Sequence, residues 1–264
     1  MRRSPRTESP LAHSHTRAAR FASRASAAPR CARAHRYALT AHMTEDETAP
    51  WARLALFRQW GYFWDLSKPV LLEKSPPNMV ISRMLEALWS RHGLGAPRGV
   101  VFVFITRHPI ANALGHLQWN ACKGMSVFEL VTHWVAQHDT LAADLPKLAR
   151  ATLLKLEEWS ADPEPALTRI FEGLGLAEPP PAEAARAAAA GVRANPNAKY
   201  EAQYCDDMKF AVRRAAHARL VEKLGERVAA HGYDLDGFGG CAARSPNGRT
   251  TAPKTTGAAA VGEL

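Results

Sequence analysis

The chain has 264 residues, with 34 Lys and Arg against 25 Asp and Glu, and a formal net charge of +9. That length permits one domain with tails, and no apolar run reaches the ~18 residues a membrane-spanning helix needs. The charge is unevenly placed. Residues 1–42 hold nine arginines and one acid, Glu8, a net +8 that leaves +1 for residues 43–264. The basic character belongs to the N-terminal segment and not to the fold, so no specific nucleic-acid partner is expected of the folded part. Three readings of residues 1–42 compete. The Arg-, Ser- and Ala-rich composition is that of an organelle transit peptide. It also suits a basic disordered arm for nucleic acid, although no aromatic residues interleave usefully with the charges. The favoured reading is translated GC-rich non-coding sequence ahead of Met43.

The first regular element is expected at Val70–Lys74. A short apolar run, Val70-Leu71-Leu72, ends in Glu73 and Lys74, then Ser75-Pro76-Pro77-Asn78 marks a turn. A helical pattern follows, with Met79, Met84, Leu85, Leu88 and Trp89 on one face. The same design recurs at Val101-Phe102-Val103-Phe104-Ile105-Thr106-Arg107-His108-Pro109. Five apolar residues without alternation read as a strand buried on both faces of a parallel sheet. Pro109 suits the first turn of the next helix. Arg107 then stands at the carboxyl end of a strand and beside a helix N-terminus, where open α/β sheets bind anions. A surface arginine paired with a carboxylate is the other reading, and the local pattern leaves both open.

Ser126 and Glu129 form a capping box ahead of a helix whose apolar stripe is Phe128, Leu130, Val131, Trp134, Val135, His138 and Leu141. His133 and His138 are spaced i, i+5, which does not suit a metal, and read as surface or core-edge histidines. A third unit begins with a strand over 152–156. Asp162-Pro163 then opens a helix through Ile170 and Phe171 that Gly175 closes. Three strand–turn–helix units imply a parallel α/β sheet with charged residues gathered at one edge. We therefore expect strands at 70–74, 101–105 and 152–156 in one sheet, with Lys74 and Arg107 at the same end.

Residues 182–190 are an Ala-rich helix or linker. Residues 199–235 form an amphipathic helical stretch ending in Gly232-Tyr233-Asp234-Leu235. Arg213 and Arg214 on it suit either anion binding or a solvated face. Residues 237–264 are expected to be a disordered tail, and 43–236 the α/β domain. Cys31, Cys122, Cys205 and Cys241 lack CxxC or Cys/His ligand spacing. Two of them fall in the tails, leaving Cys122 and Cys205 as the only pair the domain could form, with free thiols the default.

In order and spacing, "LLEKSPPNMVISRML", "FVFITRHPIANALGHLQW" and "LLKLEEWSADPEPALTRIFEGLGL" resemble the sulfotransferases that use 3′-phosphoadenosine 5′-phosphosulfate. The first segment is similar to the "EK[ST]P" element of the Golgi-type branch, which acts on carbohydrates and proteins. The resemblance covers roughly residues 51–235 and implies a P-loop-NTPase-like parallel sheet flanked by helices. It implies a sulfuryl donor as co-substrate, a saccharide or protein acceptor, and residence in the Golgi lumen, although no signal anchor is present. Arg107 falls on the position that contacts the 3′-phosphate. Gly115 stands where the family has a serine that adds a hydroxyl contact, and Leu156 where it has an aromatic that stacks on adenine. Lys74 is the candidate catalytic residue facing sulfuryl or acceptor oxygens. Adjacent strand residues point to opposite faces, which makes Glu73 a supporting carboxylate. His108 and His116 are candidates for general base by proximity alone, against an ordinary surface role.

The family's "PKSGTT"-like opening strand and loop, which cradles the 5′-phosphosulfate, has no counterpart before Trp51. The sheet is therefore expected to be N-terminally incomplete. That leaves two functional expectations: a sulfotransferase, or an inactive truncated remnant retaining weak 3′-phosphonucleotide binding. No metal is expected in either.

Overall fold

The computed structural model describes residues 42–46, 50–91 except 66 and 69, 99–175 except 120, 121 and 123, scattered positions between 181 and 190, and 195–241. Residues 1–41 and most of 182–190 lie outside the described set, as do the expectations that fell on them. The chain divides into two compact units between Asn197 and Ala198. The N-terminal unit is of the mixed α/β class, mainly helical with a small parallel sheet.

Its helices and strands run α1 (Pro50–Gly61), α2 (Ser82–Arg91), β1 (Phe102–Thr106), α3 (Pro109–Leu117), α4 (Val127–Asp144), β2 (Ala151–Lys155), α5 (Leu156–Ala161) and α6 (Pro163–Gly173). Trp60 and Trp64 set their rings 5.4 and 4.9 Å from that of Trp89 and so join α1 to α2. Val80, Ile81, Met84, Leu85 and Leu88 form the apolar centre beneath them. Strands β1 and β2 pair in parallel, from Phe102 opposite Ala151 to Thr106 opposite Lys155.

Among the described residues the sheet has two strands, not three. Val70–Ser75 carries no regular structure, and Val70 and Leu72 are 69% and 84% exposed. A strand needs a neighbour for its backbone groups, and an apolar run without one gains nothing from the extended ladder. The chain turns regular only at the 3-10 segment Pro76–Val80, whose Met79 packs against Phe104 and Leu141. The expectation that β1 is covered on both faces also fails. Phe104, packed with Leu141 of α4, and Thr106 are buried, but Val103 and Ile105 on the other face are 38% and 61% exposed. That second face is covered only over β2, where Leu154 is buried and α6 lies close. A Cβ on Gly173 would stand 2.5 Å from Thr152 Oγ1, so glycine there permits the approach of α6.

Locally encoded features form as their residues dictate. Ser126 Oγ accepts from Glu129 N–H at 3.2 Å, and Glu129 Oε2 accepts from Ser126 N–H at 2.7 Å. Leu130, Val131, Trp134, Val135, His138 and Leu141 are the buried side of α4. Asp162 caps α6 by accepting from Glu164 N–H, and Gly175 ends it at φ +66°. At the far end of α4, the fully buried Asp144 accepts a hydrogen bond from His42 Nε2 at 2.8 Å. Arg83 and Lys147 stand within 3.8 Å of the same carboxylate, whose place at a helix C-terminus needs such cations. Arg83 also binds Glu45, and that hydrogen bond holds the Glu45 carboxyl below its ordinary range.

The C-terminal unit holds α7 (Ala198–Asp207) and α8 (Ala211–Ala230), separated at Met208–Phe210. Arg214 Nη1 donates to the carbonyls of Met208 and Lys209, at 3.0 and 2.8 Å, and so closes α7. Tyr204 hydroxyl, His217 and Asp236 form a hydrogen-bonded chain. Burial, aided by the charge of Asp207, pushes the Tyr204 phenol up to about 12. Gly237–Cys241, placed in the tail by composition, is built into this unit. Phe238 is buried, and Cys241 forms a disulfide with Cys205 at a Cα–Cα separation of 5.1 Å. The pairing of Cys122 with Cys205 is therefore excluded, and the described residues hold no free thiol. No described helix is long and apolar enough to cross a membrane.

Candidate functional site

The two parallel strands end side by side, and the residues that follow them converge. Thr106 closes β1 by donating its hydroxyl to the Leu154 carbonyl at 3.3 Å. The next residue, Arg107, is half-buried, and its own carbonyl accepts from Trp134 Nε1 at 3.1 Å. Its Nε donates to Asn197 Oδ1 at 2.8 Å, and its second terminal nitrogen donates to the Pro196 carbonyl. Both acceptors are neutral oxygens, and these two bonds orient the guanidinium.

Asn197 is 4% exposed and links the two strand ends. Its Nδ2 donates to Glu157 Oε1 at 2.7 Å, and the same oxygen accepts from His108 N–H at 2.8 Å. Glu157 lies in the first turn of α5, which follows β2 directly, and His108 caps α3 two residues after β1 ends. Asn197 is fixed in turn by a local turn in which Asn195 Oδ1 accepts its N–H at 2.8 Å. One cation, one carboxylate and one amide thus occupy the carboxyl end of the sheet, beside the N-terminus of α3. Preorganised donors at such an edge suit an anionic ligand.

Asn197 and Glu157 were not singled out by the sequence reading. The Asn195-Pro196-Asn197 turn and the Glu157-Glu158 pair were the available signals, but neither shows which strand end it joins. His108 is 8% exposed, and its Nδ1 accepts from Ile110 N–H at 3.3 Å. A ring nitrogen that accepts a helix N–H serves as a cap, so His108 is a buried capping residue and not a surface histidine. His116 stacks on Trp119 at 4.9 Å, and burial holds its imidazole below the ordinary value. Gly115 lies in the last turn of α3 and passes its carbonyl to Gln118 N–H. Leu156 is the half-buried first residue of α5.

Lys74 is exposed on the irregular stretch, and Glu73 accepts from Asn78 Nδ2 within the following turn. Residues 70–75 form no strand, so the shared strand edge expected for Lys74 and Arg107 is not formed. Arg213 is exposed and Arg214 is spent on closing α7. The recess of the C-terminal unit, about 310 Å³ and lined by Glu201, Cys205, Asp206 and Gly239, presents carboxylates and no cation, which does not suit an anion. No family model, curated protein or solved structure matches the chain.

Proposed function

We propose that the Arg107 end of the sheet binds the 3′-phosphate of an adenosine 3′,5′-bisphosphate group, in a chain related to the sulfotransferases that use 3′-phosphoadenosine 5′-phosphosulfate and to their P-loop-like fold. One observation carries the reading. Arg107 lies at the carboxyl end of a parallel strand, directly before a proline-led helix, with its guanidinium oriented by Asn197 and Pro196. The order and spacing of the three family-like segments support it.

On this reading Arg107 supplies a charge-assisted bond to phosphate, and Leu156 supplies apolar contact to the base in place of stacking. Gly115 adds no hydroxyl, so the arginine dominates. Sulfuryl transfer is then a matter of positioning and charge stabilisation around an in-line displacement. Lys74 is the cation proposed for the sulfuryl or acceptor oxygens, with Glu73 tying its segment to Asn78. The acceptor is a saccharide or protein hydroxyl or amine. A Golgi-type lumen is the proposed location, and the Cys205–Cys241 disulfide supports an oxidising compartment.

Calorimetry with adenosine 3′,5′-bisphosphate tests the binding half. The 3′-phosphate should improve affinity about tenfold or more over adenosine 5′-monophosphate, the worth of one charge-assisted bond. Equal affinity for the two would overturn the assignment of Arg107. Transfer from labelled donor to a polysaccharide mixture tests the catalytic half, and binding without transfer would favour a non-catalytic relative.

A further inference from the structure

Strand β1 gives one edge to β2, and its other edge has no strand among the described residues. Phe102 N–H donates to the Arg150 carbonyl at 3.0 Å, so the backbone groups of Phe102, Phe104 and Thr106 turn toward β2. By the alternation of a ladder, those of Val103 and Ile105 turn outward. Their side chains are also exposed, at 38% and 61%. From Val100 to Thr106 there is no charge and no proline, and the pairing with β2 runs through five residues without a bulge. Exposed edges are normally blunted by one of these devices.

We propose that this edge is a self-association surface, on which β1 pairs antiparallel with β1 of a second copy about a two-fold axis through Phe104. The edge is self-complementary in that register. Val103 and Ile105 are equidistant from Phe104, so Val103 of one copy lies opposite Ile105 of the other, twice over. Each such pair exchanges two backbone bonds. The side chains that meet are all apolar and β-branched, a favourable cross-strand combination on the uncovered face. A foreign strand would need some charge or shape on the edge to select it, and Val103 and Ile105 provide none. The two-fold operation consumes the open edge of β1, so pairing through β1 itself gives a dimer with a four-stranded sheet.

The test uses the full chain, followed by sedimentation from about 1 to about 100 µM, where an interface well below standard size would associate. Hydrogen exchange over 101–106 is read in parallel. A dimer is expected, with the Val103 and Ile105 amides protected at high concentration and exchanging freely on dilution. In Val103→Lys/Ile105→Lys, like charges face each other, and association should weaken about tenfold or more. In Val103→Lys/Ile105→Glu, opposite charges face each other and association should return. Both positions are exposed, and circular dichroism confirms that each variant folds. A monomer throughout, with unprotected amides, overturns the proposal. So does a dimer indifferent to both double variants, or growth past the dimer that the lysines suppress, which would mean open-ended edge stacking.

Discussion

Arg107 is both a proposed ligand residue and a part of the fold, and a pair of substitutions separates the two. Arg107→Ala removes the guanidinium and leaves the buried Asn197 Oδ1 without its 2.8 Å donor. Asn197→Ala removes the same bond from the other side and also frees Glu157 Oε1 from its 2.7 Å partner. Bonds to charged groups are worth roughly 1.5–3 kcal/mol, so both variants should lose about that much stability. Their effects on nucleotide affinity should differ. Losing the charge-assisted bond to phosphate costs a similar roughly 1.5–3 kcal/mol, about 10- to 100-fold in Kd. Asn197→Ala keeps the cation and only releases its side chain, which costs about 1 kcal/mol of ordering, or about fivefold. Calorimetry with adenosine 3′,5′-bisphosphate, well below the melting temperature of both variants, reads the difference. Equal losses in the two would show that Arg107 acts through the shape of the strand end, and the binding proposal would fall.

Three further outcomes are expected. Asp144→Ala should cost about 2–3 kcal/mol in urea unfolding, near the lower end for breaking a buried pair because His42 and Lys147 reach solvent; a loss under about 0.5 kcal/mol would show that the carboxylate is idle. Burial holds the His116 imidazole below the ordinary 6.5, so the unfolded chain takes up a proton that the native state refuses. Stability from this source is complete above 6.5 and falls as the pH drops below it; His116→Gln should flatten that fall in thermal melts between about pH 7.5 and 5.5. The Cys205–Cys241 bond closes a loop with a sequence separation of 36, for which chain entropy gives about 4 kcal/mol. Cys205→Ser/Cys241→Ser should therefore raise amide exchange through α8, and unchanged protection would assign the disulfide no stabilising role.

Short-range features were legible in the sequence because their partners lie within a turn of each other. Ser126 with Glu129, Asp162 with Pro163, and Gly175 each carry their own instruction, and each forms as read. The strand expected at Val70–Lys74 failed because an apolar run specifies extended backbone without specifying a neighbour. The two-sided burial expected of β1 failed for a related reason: five apolar residues record a preference, while the layer above Val103 and Ile105 is another element's to supply. The candidate site was half legible. Arg107 could be placed at a strand end from Pro109 alone, but Asn197 lies 90 residues away and nothing local ties the two. Cys241 was assigned to a tail by its Gly-rich surroundings, although Phe238 beside it is the apolar anchor that fixes the turn against α7.

The bond between Cys205 and Cys241 makes the chain between them a covalent ring, with α8 as its longest side. A single protease cut inside that ring opens the backbone without releasing a fragment. The nicked protein would run as intact under oxidising conditions and gain only the mass of one water. Its two pieces would separate when a reductant is added, so limited proteolysis of this region reports faithfully only when digests are compared with and without one.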